Sequence, residues 1–471
     1  MAIMSRTMPD GQPRMNAWDP KLAGERKQII KMMLINLALV TAACWGILSI
    51  YFGSYFRQTE NVYRLTVRVL DLDTQYAATV PGAPAAILGP AVLEAIQTNL
   101  KEMPDFHLGW QIASADELST LQVTQGGQGI NATAYATNLV LDQTVFAAII
   151  INPNATVLAT EAAQQGNTAY DPRGAISFIY EEARDFYSEN QYVSLLANEL
   201  INSAIAMASM RFVTRFANAA APATNGGTAN ATSLSTALMG NALSYPFLYS
   251  QFNLRPFDQL AGEAATTAGL IYLIILTFFS SPIWQKAFEP LRKRITLSSQ
   301  LILQLGVPIL AYFWISLNYS LVTLAFHVHM TRKYGYGGFM LYWASNWTAM
   351  TALGLVMETM LRIAGPLGFP FFLLFWVVTN VSTVFLDLSD EDPFYLYGFA
   401  LPVWNAVDTA KSILFGTKFH MTQNFLVNLA WVICASIVLL LVAAYQRHKE
   451  DEQELQGMIE KINEGRAGES S

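Results

Sequence analysis

The chain has 471 residues, of which 53% are hydrophobic and only 13% are charged. Soluble domains carry about 25% charged residues, so this composition excludes an ordinary soluble protein and indicates an integral membrane protein. The formal net charge of −7 says little, because the charges are segregated by region, but the sequence has no basic field of the kind that nucleic-acid binding requires. Cys44 and Cys434 both lie in apolar runs, so no disulfide framework is predicted.

Residues 1–31 are polar and basic and are predicted to form a cytosolic tail, disordered to about residue 20. The apolar run at residues 32–53 predicts the first transmembrane helix. A cleaved signal peptide is the alternative. The run is too long for one, starts too late and lacks a clear cleavage site, which favours a signal anchor.

Residues 54–266 are predicted to form a large extracellular domain between the first and second transmembrane helices. Alternating apolar patterns predict strands and intervening helices, and therefore an α/β domain with a mixed sheet. The predicted strands are residues 62–71, 106–112, 144–151 and 176–184, and the predicted helices are 89–103, 115–123 and 192–217. Residues 219–236 are small and polar, which predicts a flexible loop.

Three N-x-Thr sequons lie in this domain, at Asn131, Asn154 and Asn230, and make the protein a candidate glycoprotein. They can be used only if the domain is extracellular or lumenal. Sequons at Asn318, Asn346 and Asn380 lie in apolar runs, where a glycosylating enzyme could not reach them.

Residues 267–445 are predicted to form a bundle of five further transmembrane helices. The apolar runs are residues 268–284, 301–326, 339–363, 369–388 and 425–445. The basic loop at residues 285–300 and the charged tail at 446–471 are predicted to be cytosolic. The predicted fold is therefore an α-helical polytopic membrane protein with six transmembrane helices.

Residues 389–423 do not match a transmembrane helix and are predicted to form an outer interfacial segment. Aromatic residues are followed by Pro402, which suits the first turn of a short amphipathic helix. Its apolar face would hold Val403, Val407, Ala410 and Leu414, which recur at helical spacing, while Asn405, Asp408 and Ser412 avoid that face. Such a helix would lie in the membrane interface or dip into the protein. A long exterior loop is the alternative.

Two stretches in this part of the chain, TNVSTVFLDLSDEDPFYLYGFALP and AKSILFGTKFHMTQNF, resemble the C-terminal signature of the fungal nitrosoguanidine-resistance membrane protein family. Those proteins are similar to the membrane domains of ABC type-2 exporters and to bacterial phage-infection-type proteins. The resemblance implies efflux of toxic small molecules or an influence on lipid distribution, a plasma-membrane location and a homodimer. The family pattern has an arginine near Lys411, and a lysine there would recognise an anion less specifically.

The candidate site residues belong to two groups. Candidates for a substrate path or an interfacial role are Phe394, Tyr395, Tyr397, Pro402, Asp408, Lys411, Lys418 and Asn424. The alternative for Asp408 and Lys411 is that they pair only with each other. Glu358 and Arg362 lie four residues apart near the inner end of the fourth helix. An intramembrane pair suggests a functional site, but a structural ion pair is favoured because Arg362 can reach the interface.

Other chemistry has little support in the sequence. No GxxxxGK[ST] motif is present, so hydrolysis of ATP by that mechanism is excluded, and no nucleophilic triad is legible. His327, His329 and His420 could share a metal, but no carboxylate-rich motif accompanies them, and interfacial histidines are favoured. We expect no enzyme activity, no metal and no cofactor.

The leading hypothesis is a transport-type membrane protein for amphipathic small molecules. Its energy source could be a separate ATPase that docks at residues 285–300. The alternative is a non-transporting scaffold or regulator whose exterior domain binds a partner.

Overall fold

The computed structural model describes residues 20, 23–56, 58–122, 129–220, 241–292 and 295–469, in two compact units, Met1–Gly53 and Ser54–Ser471. The described part of the first unit is a long helix. It comprises α1 (Ala23–Ala43), a π-helical turn (Cys44–Leu48) and α2 (Ser49–Tyr55), which runs across the boundary between the units. Its large apolar side chains, such as Leu37 and Trp45, are exposed. A helix with this exposed surface suits a lipid environment.

The second unit begins with a folded domain built on a five-stranded sheet. The strands are β1 (Thr66–Asp71), β2 (Gly109–Ile112), β3 (Ala147–Ile151), β4 (Ile176–Tyr180) and β5 (Tyr249–Asn253). Their order is β2-β1-β3-β4-β5, and neighbours run parallel except for the antiparallel pair β3 and β4. The sheet is therefore mixed, as predicted. Every residue of the central β3 is buried, which explains its uninterrupted apolar sequence.

Helices cover both faces of this sheet. The helices of the folded domain are α3 (Gln58–Asn61), α4 (Leu72–Thr79), α5 (Leu88–Glu102), α6 (Ala115–Ser119), α7 (Ala132–Leu141), α8 (Ala155–Gln165), α9 (Phe186–Ser188) and α10 (Ser194–Ala220). One apolar core joins α5, α8 and α10 to the sheet, and a second core joins α7 to the other face. Each face of the sheet therefore has its own buried core.

The membrane bundle follows the domain. Its helices are α11 (Glu263–Thr266), α12 (Ile271–Arg292), α13 (Leu297–Ala325), α14 (Gly337–Val381), α15 (Pro402–Leu414) and α16 (Met421–Glu469). Helix α14 contains 45 residues, but Gly365 interrupts it with a φ of 67°. Glycine adopts this left-handed conformation without the strain that a side chain would add.

Both ends of α14 lie near the folded domain. Arg332, just before α14, pairs with Asp258 of the domain, and Asp387, just after it, pairs with Arg184. By contrast, the carbonyl of Arg362 accepts a hydrogen bond from Gln446 at the opposite end of the bundle. The chain therefore reverses at Gly365, and α14 provides two membrane crossings.

Six helices among the described residues are long and apolar enough to cross a membrane. One of them, Phe186–Ala219, packs against the sheet of the folded domain through residues such as Ala197 and Ile201. We therefore assign it to the domain. Since α14 crosses twice, the number of membrane-crossing segments remains six.

The structure alters the predicted bounds near the C-terminal end of the bundle. The fifth crossing was predicted over residues 369–388, but its helix ends at Val381. The hydroxyls of Ser382 and Thr383 donate to the last helical carbonyls, which favours termination. The last helix continues unbroken to Glu469, so the charged tail forms no separate helix.

Residues 402–414 form the short helix that the sequence predicts, with Pro402 in its first turn. Of the placements considered, the structure shows the one inside the protein, because ten side chains of α15 are buried. Asn405 and Ser412, expected on the polar face, are among them. Helix α15 packs against α14 and α16, while the loop that follows it contacts the folded domain.

Candidate functional site

The domain and the bundle meet across a packed aromatic contact, which we call the domain–bundle interface. The ring of Phe415, at the end of α15, stacks on Phe257 with centroids 4.3 Å apart. The next residue, Gly416, has a φ of 79°, and its carbonyl accepts a hydrogen bond from Arg255 Nε at 3.1 Å. Glycine suits this turn because it adopts positive φ without steric strain.

Two ion pairs cross the domain–bundle interface beside this aromatic contact. Arg184 Nε lies 3.6 Å from Oδ2 of Asp387, and its guanidinium carbon lies 3.5 Å from the centroid of the Phe146 ring. Lys411 Nζ lies 3.5 Å from Oδ2 of Asp185 and donates to the carbonyl of Arg184 at 2.9 Å. All four charged side chains are mostly buried, so these pairs are shielded from solvent.

Asp408 and Lys411 do not pair with each other. Asp408 Oδ2 accepts a hydrogen bond from Asn424 at 2.7 Å and lies 3.4 Å from Nδ1 of His420, whereas Lys411 faces the domain. Asp408 and Lys411 lie three residues apart on α15, and each has a closer partner on another element. Lys418 also reaches the domain, since its Nζ donates to the carbonyl of Asp142 at 2.7 Å.

The aromatic candidates form a separate cluster beside α15. Phe394 is exposed, Tyr395 is buried and Tyr397 is half-buried, with ring centroids 5.2 to 6.0 Å apart. The hydroxyl of Tyr397 donates to the carbonyl of Thr379 at 3.3 Å. Burial raises the pKa of Tyr395 to about 12, and Glu391 and Asp392 add to this effect. These three residues and Pro402 are not among the lining residues of the two cavities described below.

A cavity of about 250 Å³ lies at the domain–bundle interface, and we call it the domain-side cavity. Three predicted residues line it: Asp408, Lys411 and Lys418. Arg184, Asp387 and Trp404 also line it, and none of them is among the predicted site residues. The acidic run at residues 387–392 was a signal for Asp387, but its partner lies 203 positions earlier in the chain.

Asp387 has a lowered pKa although it is largely enclosed. Burial opposes ionisation, but Arg184, the hydrogen bonds from Ser389 and the charge of Lys411 outweigh it and hold the pKa of Asp387 below its usual range. Asp185 differs, because burial outweighs Lys411 and raises its pKa. The pKa values of the two carboxyls are therefore shifted in opposite directions, although each carboxyl has a cation beside it.

A second cavity, of about 820 Å³, lies at the end of the bundle away from the domain, and we call it the distal cavity. It is lined by aromatic rings, including Phe278 and Phe369, and by charged side chains, including Lys286 and Arg362. Glu358, one turn before Arg362, is 2% exposed, and its Oε1 accepts no hydrogen bond from the described residues. Of the predicted intramembrane pair, Arg362 lines this cavity, whereas Glu358 is not among its lining residues.

The remaining predicted sites lie elsewhere. No group of three His, Cys, Asp or Glu side chains in the described ranges is arranged to hold a metal ion. Asn131 is exposed at the start of α7, and Asn154 is half-buried with a φ of 59°. Asn230 and the predicted loop at 219–236, apart from its first two residues, lie outside the described residues, as do Lys293 and Arg294 of the basic loop.

Comparison with known proteins identifies relatives but no activity. Residues 36–437 match the family described as a protein of unknown function (DUF3533). An uncharacterized endoplasmic reticulum membrane protein of Saccharomyces cerevisiae is 24% identical over 458 residues, which cover 92% of this chain and 83% of the yeast protein. No solved structure matches the chain.

Proposed function

This chain belongs to the DUF3533 family of membrane proteins, and from that premise we propose that it is a transport-type protein that moves amphipathic small molecules across or within the bilayer. The observation that carries the proposal is the pair of cavities at opposite ends of one helical bundle. The distal cavity, of about 820 Å³, falls within the usual size range of small-molecule sites. Its aromatic walls and charged rim suit a molecule with both apolar and polar parts.

A continuous apolar core separates the two cavities. One buried cluster includes Leu361 and Phe369, which line the distal cavity, and Val384 and Val407, which line the domain-side cavity. Between them lie fully buried residues such as Tyr312 and Met357. This arrangement supports a closed state of a transport path, in which access to one end is blocked by packed side chains.

The test is reconstitution of the full chain in liposomes with a fluorescent amphiphile. Gln285→Trp fills the distal cavity, since Gln285 lines it and its Nε2 has no partner among the described residues. Ile283→Trp is the matched control, because Ile283 is 63% exposed on the same helix and does not line the cavity. We expect the flux of Gln285→Trp to be at least about tenfold below that of the wild type, and the flux of Ile283→Trp to equal the wild-type value.

The same experiment separates transport from the scaffold hypothesis. A scaffold would give no flux above empty liposomes, and a protein partner would co-purify with the folded domain. Equal flux in both tryptophan variants would reject the distal cavity as part of the path while leaving transport itself intact.

We also propose that the protein contributes to toxicant resistance or to lipid distribution, and that it forms a homodimer. A separate ATPase remains the proposed energy source, with the cytosolic segment 285–300 as its contact. Gln285 and Lys286 of this segment line the distal cavity, so a docked partner could act on that site directly.

We propose the endoplasmic reticulum membrane, in place of the plasma membrane, because the yeast relative is named for it. The folded domain would then be lumenal. The basic side chains at the distal end, including Lys286 and Lys449, would face the cytosol, in keeping with the positive-inside rule. A fluorescent C-terminal fusion and a protease-protection assay on sealed microsomes test both assignments.

A further inference from the structure

Six carboxyl groups converge at the domain–bundle interface, and we call them the interface carboxyl cluster: Glu181, Asp185, Glu189, Asp387, Asp390 and Glu391. Three come from the domain and three from the loop after α14. All but Asp387 are at most 3% exposed. So many buried acidic groups at one contact cannot all carry charge without strong compensation.

The compensation in the structure is incomplete. Neither carboxylate oxygen of Glu189 or of Glu391 accepts a hydrogen bond from the described residues. Asp390 uses Oδ2 to accept from Gln58 at 3.0 Å, but its Oδ1 has no partner there. Arg184 pairs with Asp387 and Lys411 pairs with Asp185, and among the described residues no cation forms an ion pair with the other four carboxyls.

We propose that the interface carboxyl cluster is a proton-controlled latch. It holds the folded domain on the bundle while its members outside the two ion pairs, Glu181, Glu189, Asp390 and Glu391, are protonated, and it releases the domain when those protons are lost. A protonated carboxyl is neutral and can be buried at far lower free-energy cost than a carboxylate. Arg184, Lys411 and Asp387 also line the domain-side cavity, so release of the latch would open that cavity. The latch does not depend on whether the protein transports a substrate.

Charged and titratable groups face the cluster from every element packed against it. The cations are Arg64, Arg184, Arg255, Lys333 and Lys411, and the phenols are Tyr180, Tyr192, Tyr395 and Tyr397. Arg64 donates to the carbonyl of Glu391 at 2.7 Å and not to its carboxyl group. Arg184 and Arg255 act on Glu181, but burial outweighs them.

The direction of the pH effect follows from the individual groups. Burial raises the pKa of Glu181 to about 7, that of Asp390 to about 7 and that of Glu391 to about 9, the last reinforced by Asp387, Asp185 and Asp390. The same groups in water ionise near pH 4. From about pH 4 to 9, the docked state binds more protons than the released state. Its stability therefore falls as the pH rises.

The test is hydrogen–deuterium exchange on the full chain in lipid nanodiscs at pH 6 and pH 8. Exchange is expressed as a protection factor, which removes its intrinsic pH dependence. Because one released proton shifts an equilibrium about tenfold per pH unit, we expect protection of residues 181–200 and 383–395 to fall at least about tenfold. The variant Asp390→Asn/Glu391→Gln mimics the protonated pair and should lose a substantial part of this change, with the remainder due to Glu181 and Glu189.

Glu94→Gln is the matched control, because Glu94 is an exposed carboxyl that pairs with Arg211 on the surface of the same domain. It should keep the wild-type pH dependence. Equal protection of the wild type at both pH values would overturn the latch, as would an unchanged pH dependence in the double variant. If the double variant does not fold, Glu391→Gln alone provides the same comparison with a smaller expected loss.

Discussion

Arg184 of the folded domain places its Nε 3.6 Å from Oδ2 of Asp387, which follows the fifth membrane crossing. The same guanidinium donates through Nη1 to the carbonyl of Val145 at 3.1 Å and covers the ring of Phe146. Arg184 therefore links the residues just before the central strand β3 to the membrane bundle. A lysine could not make all of these contacts, because it lacks the planar fork.

We predict that Arg184→Met destabilises the protein by about 3–5 kcal/mol at neutral pH, because it leaves Asp387 enclosed without its cation. Arg211→Met, which breaks an exposed pair with Glu94, should change stability by about 1 kcal/mol or less. Thermal or denaturant unfolding of the purified chain in detergent measures both. Similar losses in the two variants would show that the Arg184–Asp387 pair stabilises the fold no more than an exposed ion pair does.

The pH dependence of that loss gives a second measurement. With Arg184 present, the pKa of Asp387 lies below its usual range. Without it, burial acts with little opposition and the pKa should rise, so that protonation relieves the unpaired charge. The deficit of Arg184→Met relative to the wild type should therefore shrink between pH 7.5 and pH 5. A constant deficit would mean that packing against Phe146, and not the charge of Asp387, accounts for the effect.

Lys411 and Asp185 are predicted to be energetically coupled across the interface. Asp185 Oδ1 caps α9 by accepting from the amide of Ser188, and Asp185→Asn keeps that cap while it removes the charge. A double-mutant cycle with Lys411→Met should give a coupling free energy of about 0.5–3 kcal/mol. Strict additivity of the two unfolding free energies would argue that Lys411 acts through its bond to the carbonyl of Arg184 instead.

Local apolar patterns were sufficient to predict much of the fold. The run that became β3 was recognised because a fully buried central strand needs apolar residues on both faces. Helix α15 was recognised from Pro402 and the spacing of Val403, Val407 and Ala410. Helices α7 and α8 were missed because their buried faces are largely alanine, and β5 was missed because YSQFN has little apolar character.

The site was harder to predict because it depends on contacts between distant parts of the chain. Glu189 and Asp387 come together only when the domain packs on the bundle, and neither has a local pattern that indicates this. The prediction that Asn405 avoids the buried face of α15 was wrong for a different reason, which is local to the helix. Asn405 donates to the carbonyls of Phe399 and Leu401, so a polar side chain is satisfied inside the protein and need not face water.

The close approach of α13 to α14 at Gly354 provides a further prediction. A Cβ atom at this position would clash with the ring of the buried Tyr312. Gly354→Ala should therefore destabilise the bundle by about 1–3 kcal/mol through overpacking. Gly306→Ala, with no atom within 4 Å of the added Cβ, should be neutral or slightly stabilising.

Melting of the purified protein in detergent compares these two glycine variants. The loss caused by Gly354→Ala should be smaller in a Tyr312→Leu background, because the clashing ring atoms are absent. If the loss were the same in both backgrounds, the contact with Tyr312 could not be its cause.

The side of the membrane occupied by the folded domain can be tested through Asn131. Its side chain is exposed, and its Oδ1 accepts a hydrogen bond from the amide of Ala134. A glycan attached to Nδ2 leaves that cap intact, so we expect modification without loss of stability. Removal of N-glycans should increase the gel mobility of the wild type, and both Asn131→Gln and Thr133→Ala should reduce this shift.

Asn346, buried in α14 and bonded to Ser320, is the internal control, and Asn346→Gln should leave the glycan pattern unchanged. An unmodified chain, together with cleavage of the domain by protease added to the cytosolic side, would reverse the proposed orientation.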